Sequence, residues 1–136
     1  MNRREYIYYS FMKKVVSDGF ISLDESGLIM ILEERLGLSD DTMDDITGMI
    51  EEGEEPDSTE IQELSKDMSD HDLEKDIYER VLKEALEDED VHEDELDALD
   101  NLAEIMNITQ DERREIYEDA KEHPFLERLG KALRLD

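Results

Sequence analysis

The chain has 136 residues, enough for one domain with a modest core. Its formal net charge of -27 works against nucleic acid and anionic membranes as direct partners and leaves cations and basic proteins. The absence of cysteine excludes disulfides and thiolate zinc sites, and no apolar run approaches the ~18 residues of a membrane span.

An apolar share of 38% is low enough to raise the question of disorder. Periodicity answers it, because most of the chain reads as capped amphipathic helix and no useful strand-like alternation occurs. The start, Met-Asn-Arg-Arg-Glu-Tyr, lacks the apolar core of a secretion signal, so a cytoplasmic protein is expected. Salt adaptation is a competing source of the acidity, though the few alanines and valines and many isoleucines fit it poorly.

The spacing of Tyr8, Phe11, Met12 and Val15 predicts a first helix over Arg3 to Ser17, ended by Asp18-Gly19. Ser22-Leu-Asp-Glu25 reads as a capping box for a second helix running to Leu36. Its inward set is Leu28, Ile29, Leu32 and Leu36, and Gly37 stops it. Ser39 caps a third helix that ends near Glu51. An acidic connector, 51–58, leads to a short helix over Glu60 to Asp67. Ser69 is expected to cap a long helix from Asp70 to Glu87, with Tyr78, Val81, Leu82 and Ala85 inward. Glu93 to Met106 and Gln110 to Lys121 follow, the latter under the capping box Thr109-Gln-Asp-Glu112. Pro124 opens a final short helix, Phe125 to Arg134, expected to close the core with Phe125, Leu126, Leu129 and Leu133.

These elements form an internal repeat without a gap. Ile7-Tyr8 recurs seventy positions on as Ile77-Tyr78, Asp18 as Asp88, and Asp24-Glu25 as Asp94-Glu95. Leu32 recurs as Leu102, Glu34 as Glu104 and Ile46 as Ile116, while Gly37 becomes Asn107. Each helical trio has one apolar stripe that it cannot bury alone. The expectation is an all-α single domain, 1–136, with about seven or eight helices. Repeat one covers 7–50 and repeat two 77–120, packed about a pseudo-twofold axis, with a terminal helix over 124–134.

Both repeats place acids at the same inter-helix bend. The first reads Ser17-Asp18-Gly19-Phe20-Ile21-Ser22-Leu23-Asp24-Glu25 and the second Glu87-Asp88-Glu89-Asp90-Val91-His92-Glu93-Asp94-Glu95. Gathered carboxylates suit a hard cation such as calcium or magnesium, making Asp18, Asp24, Glu25, Asp88, Asp90 and Glu95 the candidate ligands. An EF-hand is excluded by register. With Gly19 at the sixth loop position, Lys14 falls at the first and Val16 at the third, where oxygen ligands are needed. In the second copy Glu89 takes the glycine position and Leu86 the third.

The bends resemble those of the tellurite-resistance TerB family and its relatives, including the N-terminal part of DjlA-type co-chaperones. That family carries an Ala-Asp-Gly-x-Ile-x-x-x-Glu signature. Asp18, Gly19, Ile21 and Glu25 match it, with Ser17 at the alanine position; Asp88, Val91 and Glu95 match the second copy, where Glu89 departs from glycine. The resemblance, over Ile7 to Ala120, implies an all-helical fold, divalent metal at the bends and a role in stress-related or membrane-associated assemblies without enzymatic chemistry.

Capping explains part of the same pattern. Glu25 and Glu95 stand at the third helical position, where a carboxylate is favoured by the helix dipole. Asp18 and Asp88 fall at helix C-termini, where the dipole disfavours negative charge by about 0.3–1 kcal/mol. Of the histidines, His71, His92 and His123, only His92 lies within one of the acidic bends, and it occupies a cap position. Tyr8 reads as core, and Tyr6 or Tyr9 as a contact surface. No glycine-rich phosphate loop, nucleophile elbow or His-Glu-x-x-His segment occurs, so neither catalysis nor an organic cofactor is expected. Two functions remain: a TerB-like module binding a cation and a protein partner, and an acidic decoy that imitates nucleic acid toward a basic protein.

Overall fold

The computed structural model describes residues 1–17, 21, 23–87 and 93–120, except the side chain of Asp24. Seven helices make up this part: α1 (Arg3–Ser17), α2 (Leu23–Leu36), α3 (Asp40–Glu51), α4 (Ser58–Ser65), α5 (His71–Leu86), α6 (Glu93–Ile105) and α7 (Gln110–Asp119). The expected bend residues Asp18, Gly19, Ser22, Asp88, Asp90 and His92 lie outside the described residues, as do the terminal helix and His123.

Helix ends follow local chemistry. The hydroxyl of Ser39 accepts from the Thr42 amide and starts α3, while Thr109 and Glu112 form the reciprocal capping box of α7. α2 and α6 both stop at a left-handed residue, Gly37 at φ 67° and Asn107 at φ 57°. Two starts differ from expectation. α4 begins at Ser58 under Asp57, whose carboxylate accepts from the Thr59 amide, and not after Thr59. α5 begins at His71 with Asp70 as a cap that makes no side-chain bond. Ser69 is drawn away from capping because its amide and hydroxyl both donate to Asp67.

The packing is pseudo-symmetric. α1 lies on α6 while its counterpart α5 lies on α2, and α2 and α6 meet at the centre. Each half therefore covers the other's apolar stripe. Ile7, Phe11, Leu32, Tyr78, Leu82, Leu99, Leu102 and Met106 are all at most 1% exposed. α4 lies across α1.

One buried ion pair joins the layers. Arg3 Nη2 donates to Glu74 Oε1 at 2.8 Å and Nε to Glu74 Oε2 at 3.2 Å, a bidentate clamp. The same guanidinium donates to the carbonyl of Leu64 at 2.6 Å and that of Ile105 at 2.9 Å, at the ends of α4 and α6. Arg4 donates to the Leu36 carbonyl at 3.1 Å, serving the end of α2. Two arginines in the first turn oppose the dipole of α1, yet they satisfy the C-terminal carbonyls of three neighbours.

Candidate functional site

The bends join α1 to α2 and α5 to α6, so packing the two halves sets them at equivalent places in the fold. Of the six candidate ligands, Asp18, Asp88 and Asp90 lie outside the described residues, and Asp24 is described only as backbone in α2. Glu25 and Glu95 are described, and both are buried, at 6% and 2% exposure. Each stands third in its helix, at the start of α2 and α6.

An ionised carboxylate withdrawn from water to this extent needs a partner, and neither residue is without an interaction. Their burial is matched in the two halves and exceeds what a surface cap requires. Asp94, by contrast, is exposed. Among the described residues no three histidine, aspartate or glutamate side chains gather closely enough to hold a metal ion. The described part of each bend thus supplies one buried carboxylate and no chelate of its own.

Elsewhere, the structure brings together groups far apart in the chain. His71 Nε2 lies 2.9 and 3.0 Å from the two carboxylate oxygens of Glu112, tying the start of α5 to the first turn of α7. A carboxylate only accepts, so Nε2 carries the proton and the buried Nδ1 is left without a partner. Lys75 stands 3.6 Å from the same carboxylate. Burial pushes the Glu112 carboxyl up, but the Thr109 amide, His71 and Lys75 outweigh it and hold it below the usual glutamate value. Position along the chain singled out His92, inside an acidic bend; folding brings His71 to a carboxylate 41 positions away.

Tyr9 is core, at 4% exposure, and not a contact surface. It borders a shallow groove along α1, where Lys13 stands over the Tyr9 ring at 5.6 Å and pairs with Glu55 at 2.8 Å. Tyr6 remains half-buried and lines this groove of about 410 Å³ and a neighbouring one of about 290 Å³ toward the end of α6. Tyr8 is core as expected, with its hydroxyl donating to Glu33 at 2.8 Å.

No protein-family model, curated protein or solved structure matches the chain. No described helix is long and apolar enough to cross a membrane.

Proposed function

We propose that this protein is a non-catalytic, TerB-like binding module whose paired acidic bends face a divalent cation and whose outer surface engages a protein partner. The observation that carries this reading is the matched burial of Glu25 and Glu95 at the two bends. Capping alone leaves a third-position carboxylate at the surface, whereas these two are buried in both halves. Calcium or magnesium suits such oxygen-only surroundings.

The test is the melting temperature at millimolar calcium, against sodium chloride of matched ionic strength. A cation held only by the folded state stabilises it by mass action, beyond the screening that any salt gives a chain of charge -27. Asp18→Asn with Asp88→Asn should remove that excess. An unmutated protein indifferent to calcium would exclude the cation.

One observation favours the decoy as a second reading. Glu93, Asp97 and Glu104 are exposed and Asp100 half-exposed along one face of α6, at axial steps of about 4.5–6 Å. A row of this kind can stand in for a strand of phosphates toward a basic protein. Co-purification of such a protein, displaced by DNA, decides for this reading.

A further inference from the structure

The face of α2 that corresponds to the acidic row of α6 is apolar. Leu23, Gly27, Met30 and Glu34 follow one another at helical spacing and stand seventy positions before Glu93, Asp97, Asp100 and Glu104. The two helices are equivalent in the fold, so α6 shows what this face is when water covers it. On α2 three of its four acids are replaced by leucine, glycine and methionine. Leu23 is 92% exposed and Met30 67%, the two largest exposures among the large apolar side chains of the described residues.

Among the described residues no internal packing accounts for the change. Leu28, Ile29, Leu32 and Leu36 already bury the opposite side of α2 in the core. Gly27 sits in mid-helix, where glycine costs about 1 kcal/mol relative to alanine, yet a side chain there would meet nothing within 4 Å. Met43 of α3 stands where the second half has Arg113, so methionines occupy the positions of the Asp100–Arg113 ion pair. At its exposure Met30 still leaves most of its surface to solvent. The strip is about 10 Å long from Leu23 to Met30, two turns of helix, with a low point at Gly27 that lets another backbone approach.

We infer that this strip is a docking surface for an amphipathic helix of another protein, one whose apolar stripe is flanked by lysine or arginine. Leucine and methionine side chains on a helix accept such a stripe by reshaping around it. The charge selects the flanks. The strip ends at exposed Glu34, the nearby N-terminus of α3 adds exposed Asp40 and Asp41, and the chain carries -27 in all. A basic rim meets a complementary field, while an acidic one, or a second copy of this chain, meets repulsion. This deepens the binding-module reading by naming the partner's chemistry, and it does not depend on the cation.

The test is a fluorescence-anisotropy titration of the full chain at about 0.15 M salt with EDTA present, so a failed calcium experiment does not bear on it. The probes are two helical peptides of about five turns with one leucine stripe, flanked in one by lysines and in the other by glutamates. Saturable binding of the lysine peptide alone is expected, weakened about ten-fold or more by Leu23→Glu with Met30→Asp. That variant restores the residues of α6 at exposed positions and adds negative charge. Attraction by charge alone would therefore tighten binding, so weakening supports the docking strip. The inference is overturned if the lysine peptide does not bind, or binds the variant as well as the unmutated chain. Self-association that the same substitutions abolish would overturn it in favour of a second copy. Burial of the Met30 methyl by residues 121–136, seen as a shift of its resonance when they are removed, would overturn it in favour of an internal cover.

Discussion

Gly37 and Asn107 stand seventy positions apart and end equivalent helices with the same left-handed turn, at φ 67° and 57°. The glycine adopts it freely, whereas a residue with a Cβ is strained there by about 1–2 kcal/mol. Asn107 offsets that strain by donating from Nδ2 to the Ser65 carbonyl at 2.7 Å, which fastens the end of α4. Gly37→Ala should thus destabilise the fold by about 1 kcal/mol through its backbone alone, since its nearest neighbour would be Arg4 at an ordinary 3.8 Å. Asn107→Ala should cost more than Asn107→Gly, because only the alanine keeps the strain while losing the bond. Urea midpoints of the three variants check the order, and equal losses for the two Asn107 variants would refute this account.

Arg3 and Glu74 give a second prediction. Both are at most 6% exposed, so removing one partner strands the other's charge in the core. Arg3→Met should cost about 3–5 kcal/mol, more than the truncation of any surface ion pair such as Lys13–Glu55. It also releases the carbonyls of Leu64 and Ile105. Adding Glu74→Leu to Arg3→Met should recover a large part of the loss, since it removes the stranded carboxylate. A double variant no more stable than Arg3→Met would show that the carbonyl bonds, not the ion pair, dominate.

The alkaline limb of stability is set partly by Tyr8. Burial, followed by the hydrogen bond and charge of Glu33, pushes its phenol up to about 12 from 10.0. Burial raises the Tyr78 phenol as well. A phenol held protonated by the fold stabilises it fully below pH 10, where the unfolded chain also keeps the proton. Between pH 10 and about 12 the unfolded chain ionises first, and the stability is lost. Tyr8→Phe should flatten the decline of the unfolding midpoint across this window, with Tyr78 supplying the residual slope. An unchanged decline would place the alkaline sensitivity elsewhere.

Much of this architecture is legible along the chain. α1 spans the residues that its Tyr8–Phe11–Met12–Val15 stripe predicts, and the Ser39 and Thr109 caps follow from their spacing to the next amides. Such features are local, each decided within one or two turns. Arg3–Glu74 and His71–Glu112 are not, because nothing near either residue announces a partner 71 or 41 positions away. Tyr9 escaped for a related reason: α4 lies across α1, and that docking has no counterpart among the described residues of the other half. The start of α5 turned on a local contest, in which Asp67 takes the Ser69 hydroxyl that would have capped it. The candidate site divides the same way. Acidic bends are visible in the repeat, but only packing shows Glu25 and Glu95 below the surface and Leu23 and Met30 above it.

Glu112 serves two elements at once, which makes α7 sensitive to acid. Its carboxylate accepts from the Thr109 amide at 2.9 Å to close the cap and holds His71 of α5. Because the fold keeps this carboxyl below its ordinary value, the stabilisation is present above the usual glutamate range. It drains away as pH falls through the lowered folded value. Glu112→Gln keeps an oxygen for the cap but no charge for His71 and Lys75. It should lower stability near neutrality and shrink the loss on acidification, so the two proteins converge toward the acid end. Thr109→Ala removes only the other half of the capping box and should cost about 0.5–2 kcal/mol. Amide hydrogen exchange along α7 reads both effects. Faster exchange for Gln110–Asp119 in each variant, with α1 unchanged, is the expected pattern; uniform acceleration across the helices would mean that α7 does not open as a unit.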